Sequence, residues 1–255
     1  MHLLLAGALV FVAGVIFGIF GAGGSILLVP ILVYVLGVPI KSALGMSLMI
    51  LMLTGGFATL AHARSKNVHW WIGLRWAGMG LIGAYGGGRV AEFIPGEMLL
   101  LIFAGVVVVA ATAMIRRRVP VSHADPRHVP TLKVLAVGLL LGAFTGMIGV
   151  GGGFLLVPAL VLVCGIDMKL AIGTSLLIIT INSLGGFLGF VSHETFDWRL
   201  AFTVAAFNAA GSLLGERIGK PLPAARLRPA FGVFLLIVGA AMVVENAVSM
   251  WLKTH

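Results

Sequence analysis

Residues 18–50 read GIFGAGGSILLVPILVYVLGVPIKSALGMSLMI, and residues 146–178 read GMIGVGGGFLLVPALVLVCGIDMKLAIGTSLLI. The two stretches are identical at 18 of 33 positions without a gap, at an offset of 128 residues. At the same offset Trp70 matches Trp198 and Pro95 matches Pro223, so the similarity extends over nearly the whole chain. A long internal repeat predicts two structurally equivalent halves.

The composition is that of a membrane protein. Hydrophobic residues make up 60% of the chain and charged residues only 10%, whereas soluble domains carry about 25% charged residues. A helix needs roughly 20 apolar residues to cross a bilayer, and eight apolar runs are predicted to span: 3–20, 42–63, 70–91, 98–115, 134–148, 171–191, 198–215 and 227–251. We therefore expect an all-α polytopic protein in the cell (inner) membrane, with about eight transmembrane helices including glycine-broken or re-entrant hairpins.

Two shorter apolar pieces follow the glycine-rich stretches, at residues 26–36 and 154–164. Each is too short to span unaided, so they are interpreted as re-entrant or broken-helix segments. The chain then divides into a first transmembrane repeat at 1–115, a basic linker at 116–133 and a second transmembrane repeat at 134–255. Whether the two short pieces fully span stays open.

The charge distribution predicts the topology. The linker, RRRVPVSHADPRHVPTLK, carries five Lys and Arg residues, and the positive-inside rule places such a loop in the cytoplasm. Counting outward, three spans and one returning hairpin per half make the two repeats inverted, with both termini extracytoplasmic. The net charge of +9 is scattered over short loops, so we interpret it as topology information and expect no nucleic-acid partner.

The glycine clusters are candidate binding elements. Contiguous glycines can end one helix and begin another inside the membrane, and an exposed helix N-terminus attracts an anion. Close helix packing is the alternative, and it is favoured for the spaced pairs Gly14/Gly18, Gly83/Gly87, Gly142/Gly146 and Gly211/Gly215. The clusters, each followed by Pro30 or Pro158, comprise Gly21, Gly23, Gly24 and Ser25, and Gly149, Gly151, Gly152 and Gly153.

Polar side chains within the following spans are further candidates. ALGMSL at 43–48 and AIGTSL at 171–176 place Ser47, Thr174 and Ser175 where their hydroxyls could donate to an anion. Bonds to their own helix carbonyls are the equal alternative. Asn182 lies within an apolar span, where it would face a cavity or form an interhelical hydrogen bond.

Charged residues are weaker candidates. Lys41 and Lys169 match at the repeat offset and could draw anions inward, although interfacial anchoring is favoured. Glu245 is the one carboxylate considered deep enough to carry a proton. Few relay groups are available, so proton coupling is left open, as is a homodimer through outward-facing glycines.

At these residues the chain resembles the TauE/SafE family of sulfite exporter-like membrane proteins. The shared pattern, a G-x-G-G-[GS] motif, an apolar run, a proline and an A-x-G-[TM]-S segment, occurs twice here. The resemblance covers residues 5–252, and it implies a transporter of small anions such as sulfite, thiosulfate or organosulfonates. The first copy departs at Ser25 and Met46, so the second is the better candidate for substrate contact. The motif positions outside the clusters are Pro30, Gly45, Ser47, Pro158, Gly173, Thr174 and Ser175.

Such a transporter would alternate access around a site between the repeats, with the lipid bilayer as its surroundings and without a cofactor, a metal or a catalytic residue. A non-transporting scaffold or sensor is one alternative, although it does not need paired glycine breaks. An intramembrane enzyme is the other, and it is less favoured because a serine nucleophile needs a base nearby. The candidate bases, His62, His69, His123, His128 and His193, fall in loops or at span ends.

Overall fold

The computed structural model describes residues 2–21, 24–116, 131–192 and 194–223, together with 226–227, 229–234, 236–237 and 240. These residues form α-helices without a strand, which confirms the all-α prediction. The helices are α1 (His2–Phe20), α2 (Ser25–Pro30), α3 (Ile40–Arg64), α4 (Trp70–Val90), α5 (Gly96–Arg116), α6 (Thr131–Ile148), α7 (Gly153–Cys164), α8 (Met168–Phe190) and α9 (Trp198–Gly219).

Two short helical segments continue these elements. A π-helical segment, Ile31–Val35, follows α2 directly, and a 3₁₀ turn, Ala91–Phe93, follows α4. Residues 229–234 are also helical, but most of the span predicted at 227–251 lies outside the described residues, as do Glu245 and most of the linker.

The antiparallel pair of α3 and α8 occupies the centre. Gly55 of α3 packs against Thr180 of α8 midway along both helices, while Gly173 near the start of α8 packs against His62 near the end of α3. Of the described residues, these two helices are the ones long and apolar enough to cross a bilayer, and both are largely buried within the protein. Shorter apolar helices cover 6–20, 25–35, 96–109 and 134–148, so the count of eight spans stays a prediction.

Two parallel helix pairs flank this centre. In α1 and α9, Gly14 meets the main chain of Asn208 and Gly18 meets that of Ser212. Contacts of the same kind, 128 residues away, join α6 to α4: Gly142 to Gly80 and Gly146 to Ala84. In each flanking pair, therefore, one helix comes from the first half of the chain and the other comes from the second half. In addition, α4 packs on α8 and α9 packs on α3.

The loops gather at two ends of the molecule. The His62 end comprises side chains that line one cleft: His62, Asn67, Lys169, Glu216 and Lys220. The Arg89 end comprises residues joined by hydrogen bonds: Arg89 with Ser192, Lys41 with Glu92, and Ser42 with Glu194. The side of the membrane on which each end lies stays a prediction.

Each glycine cluster joins two helices, α1 to α2 and α6 to α7, and in both cases the second helix returns the chain to the end from which the first one came. Leu36, which follows the π-helical segment, lines one cavity with Ala6 of α1, so the first hairpin opens at the Arg89 end. Gly138 of α6 packs against Trp76 near the start of α4, and α8 begins beside Asn67, so the second hairpin opens at the His62 end.

The outer surface of the helices is apolar. Large hydrophobic side chains are exposed along most of them, among them Phe57 and Leu60 of α3, Ile82 of α4, Val109 of α5 and Leu140 of α6. An all-helical chain with such a surface and with buried polar groups suits a bilayer, in which every backbone group is paired within its own helix.

Candidate functional site

The second glycine cluster forms a tight turn between α6 and α7. Gly149, Gly151 and Gly152 have φ angles of +74°, +62° and +69°, a region that side-chain-bearing residues rarely adopt. Gly152 is the N-cap of α7, whose first N–H groups have no acceptor within the helix. The prediction of a broken helix at this cluster is confirmed.

This turn lies at mid-depth, against the central helix pair. A methyl group placed on Gly151 would lie 2.9 Å from Leu51 Cδ1, 3.0 Å from Ile179 Cγ2 and 3.0 Å from Ser183 Oγ. Leu51 and Ile179 occupy the middle of α3 and α8. Gly149 of the same turn packs against Leu44, near the start of α3, so the turn extends from the middle of the central helix pair toward the Arg89 end.

Ser183 is one of the polar residues that meet this turn. Its side chain is fully buried, and its Oγ has no hydrogen-bond partner among the described residues. A buried hydroxyl without a partner costs about 1–3 kcal/mol, so Ser183 Oγ is a candidate donor for a bound ligand. Sequence reasoning missed Ser183 because its repeat counterpart is Gly55. Its position next to Asn182 in an apolar span was the available signal.

Asn182 points toward another helix. It is 2% exposed, and its side chain contacts Gly80 of α4, where any side chain would collide with the amide. Its Oδ1 has no hydrogen-bond partner in the described part of the chain. Thr54, its counterpart 128 residues earlier, is also fully buried with an unpartnered hydroxyl. Both residues are polar groups of the interface between central and flanking helices.

The first glycine cluster is partly described, since Gly23 lies outside the described residues. Gly21 has a φ of +72° and packs against Ile172 of α8, and Gly24 packs against Ala13 of α1. Ser25 begins α2 and is fully buried. Since α2 contacts α7, the structure brings the two broken helices together. Each contains its proline, Pro30 at the end of α2 and Pro158 within α7.

The three hydroxyls of the helices after the clusters pair with main-chain groups. Ser47 Oγ donates to the carbonyl oxygen of Gly149, within the second turn, and lies 2.8 Å from that of Leu44. Ser175 Oγ donates to the Ile172 carbonyl oxygen over 2.7 Å. These bonds hold the glycine turns and the start of α8 in place.

Thr174, Gly45 and Gly173 contact residues of adjoining loops. Thr174 Oγ1 accepts the main-chain N–H of His69 at 2.9 Å. Gly173 packs against the carbonyl group of Asn67, and Gly45 packs against the Phe196 ring. These positions fasten the ends of α3 and α8 to adjoining loops.

The matched lysines are engaged in equivalent bonds. Lys41 Nζ donates to the Glu92 carbonyl oxygen at 2.6 Å, and Lys169 Nζ donates to that of Lys220 at 3.0 Å. Each lysine thus ties the start of a central helix to the segment 51 residues later. This geometry supports the anchoring interpretation for both.

The spaced glycine pairs are packing positions, as predicted. A side chain on any of the eight would collide with main-chain atoms of the partner helix. The residues concerned are Gly14, Gly18, Gly211 and Gly215 between α1 and α9, and Gly83, Gly87, Gly142 and Gly146 between α4 and α6.

Comparison with known proteins gives a consistent picture. The sequence profile of the family described as "Sulfite exporter TauE/SafE" matches residues 6–242. A "Probable membrane transporter protein" of Xylella fastidiosa (strain 9a5c) is 32% identical over 243 residues, covering 93% of each chain. The "Probable membrane transporter protein YdhB" of Bacillus subtilis (strain 168) is 25% identical over 233 residues, covering 90% of this chain and 95% of its own. No solved structure matches the chain.

Proposed function

This chain belongs to the sulfite exporter TauE/SafE family, and from that premise we propose that it carries small sulfur-containing anions, such as sulfite, thiosulfate or organosulfonates, across the cell membrane. The relatives are membrane transporters by name. The apolar helical segments place the chain in a membrane, and the anion class comes from the name of the family.

The observation that carries the site is the meeting of the α7 N-terminus with Ser183 at mid-depth. A helix N-terminus carries about half a positive charge, and a hydroxyl adds a donor that a sulfur oxyanion accepts. Gly151 lets the turn pack directly against Ser183, since any side chain there would meet Leu51, Ile179 and Ser183.

The packing pattern supports alternating access. α4 packs on α6 and α9 packs on α1, and these two parallel pairs lie on either side of α3 and α8. We infer two inverted repeats whose paired helices move as units against the central helices, which would expose the site to one end and then to the other.

The charges of the loops support an orientation with the His62 end in the cytoplasm. Basic residues outnumber acidic ones there, with Arg64, Lys66, Lys169, Arg217 and Lys220 against Asp167 and Glu216. The Arg89 end carries Glu92, Glu97, Glu194 and Asp197 against Lys41, Arg89 and Arg199. Both termini are then extracytoplasmic.

A hydrolytic function receives less support. The hydroxyls of Ser47 and Ser175 donate to main-chain carbonyl groups, whereas a serine nucleophile would bond to its base. His62 Nδ1 pairs with the Ala58 carbonyl oxygen instead.

The test is uptake of radiolabelled sulfite, thiosulfate and a short sulfonate into proteoliposomes. The unchanged protein is compared with Gly151→Leu/Gly152→Leu, which fills the turn, and with Gly78→Leu/Gly86→Leu. The latter two glycines have no neighbouring atoms within 4 Å, so this control should transport normally. We expect uptake of at least one anion, abolished only in the first variant. Absence of uptake of all three would overturn the substrate class and favour a scaffold or sensor.

A further inference from the structure

A second group of polar side chains lies at the His62 end, apart from the α7 turn. His62 of α3, Lys169 of α8 and Glu216 of α9 line one cleft with Asn67 and Lys220. The cleft is partly open to the surroundings, and its space for water-sized molecules is about 20 Å³, room for about one water molecule. It brings a histidine, a carboxylate and ammonium groups together at the end that we place in the cytoplasm.

The geometry of His62 leaves one ring nitrogen available for a proton. Its side chain is 7% exposed, and Nδ1 lies 3.0 Å from the Ala58 carbonyl oxygen. A carbonyl oxygen can only accept, so Nδ1 carries the hydrogen of that bond. Proton uptake and release therefore fall to Nε2, and they change the charge of the ring.

Glu216 is the acidic partner in the cleft. Its Oε1 accepts a hydrogen bond from Ser65 Oγ at 3.4 Å, and its charge interacts with His62. Among the described residues, the other charged side chains that line the cleft are Lys169 of α8 and Lys220, which follows α9 directly. α1 contributes the uncharged Gly18 and Ile19.

The pair exists at one end only. At the repeat offset of 128, Phe190 stands where His62 does, and Gly88 stands where Glu216 does. Phe190 is 1% exposed, and Gly88 packs against the main chain of Gly186. The equivalent place at the Arg89 end is thus apolar and closed, although the lysine bonds at the two ends are equivalent.

The cleft adjoins the first glycine cluster. Its wall includes Gly18 and Ile172, and Ile172 packs against Gly21 and accepts the Ser175 hydroxyl. The cleft therefore borders the residue of α8 that packs against Gly21 of the first glycine cluster.

We propose that His62 and Glu216 are the proton-binding pair of this transporter, and that a small anion enters the cleft together with the proton that they take up. With His62 neutral, the Glu216 carboxylate repels an anion near Lys169. With His62 protonated, the imidazolium offsets that carboxylate, and the ammonium groups then attract the anion. The coupling is reciprocal: the factor by which a bound proton raises the affinity for the anion equals the factor by which a bound anion raises the affinity for the proton. This inference rests on the proposed anion transport.

The first test measures uptake of thiosulfate or a short sulfonate, whose charge stays constant between about pH 6 and pH 8, with the outside pH varied across the His range. We expect acid-stimulated uptake in the unchanged protein. His62→Gln should lose the stimulation and transport at least tenfold more slowly, whereas Glu216→Gln should transport equally at both pH values. His69→Asn, which keeps an N-cap acceptor for α4, should behave as the unchanged protein. Stimulation that survives in His62→Gln would overturn the proposal while leaving anion transport intact.

The second test does not depend on transport. The imidazole titration of His62 is followed by NMR in detergent with labelled histidine, and the signal is assigned through His62→Gln. We expect the titration midpoint of His62 to fall in Glu216→Gln, because the neighbouring negative charge is gone. An unchanged midpoint would overturn the pairing, even if no anion were transported in the first test.

Discussion

At the scale of single residues, Ser47 and Ser175 show how matched positions can differ. They are separated by the repeat offset, and both lie near the start of a central helix. Ser47 reaches across to the carbonyl group of Gly149, whereas Ser175 donates within its own helix to Ile172. The two motif copies also differ in sequence, at Ser25 and Met46 of the first copy. Because the Ser47 hydroxyl bonds to Gly149, the difference directs attention to the second glycine turn.

Replacement of Ser183 by alanine separates a binding role from a structural one. Removal of a buried hydroxyl that has no partner should leave the thermal midpoint unchanged or slightly raised. If the hydroxyl donates to the anion, the KM for uptake should rise roughly tenfold or more, because a hydrogen bond to a charged group is worth about 1.5–3 kcal/mol. Thr112→Val on α5, which removes a hydroxyl bonded within its own helix, is the control. An unchanged KM in Ser183→Ala would remove Ser183 from the site.

At the scale of the helices, glycine has two separate uses in this chain. In the turns, positive φ angles at Gly149, Gly151 and Gly152 demand it. In the flanking pairs, close approach demands it, since α6 and α4 meet through the main chain at Gly142 and Gly80. Small residues are the usual means by which helices approach closely in a bilayer, where no hydrophobic force drives them together.

Gly142→Ala tests the close approach of α6 to α4. The added methyl group would collide with the carbonyl oxygen of Gly80, and overpacking of this kind costs about 1–3 kcal/mol. Gly105→Ala on α5, where nothing lies within 4 Å, should be neutral or stabilising because alanine favours the helix. The two variants are compared by yield of monodisperse protein and by thermal midpoint in detergent. Equal stability would contradict the packing.

At the scale of the whole molecule, the two hairpins open at opposite ends, and the loops sort by charge between those ends. The His62 end holds the basic excess and the proposed proton-binding pair, and the Arg89 end holds most of the acidic loop residues. If every molecule has the same orientation in the membrane, the proton-binding pair always lies on the same side of it.

Cysteine labelling tests that orientation. In a Cys164→Ala background, cysteines are introduced at Arg64 near the His62 end and at Phe93 near the Arg89 end, and both positions are exposed. A membrane-impermeant maleimide applied to intact cells should label Phe93→Cys, and it should label Arg64→Cys only after the membrane is opened. The reverse pattern would place the proton-binding pair outside the cell.

The sequence by itself determined the helices and the breaks in them, and it predicts the sides of the membrane on which their loops lie. These properties depend on local features: the length of an apolar run, a run of glycines such as 151–153, and the charge of a loop. Helix bounds such as Trp70–Val90 agree with the predicted run at 70–91 to within a residue.

Only the tertiary structure decided which residues face one another. Ser183 meets Gly151, and His62 lines one cleft with Glu216, which lies 154 residues away in the chain. The exchange of partners between the halves, with α4 on α6 and α9 on α1, was equally invisible. A helix presents its whole circumference to its surroundings, and in an apolar chain every face is similarly hydrophobic. Close packing between distant segments therefore selects the face that turns inward.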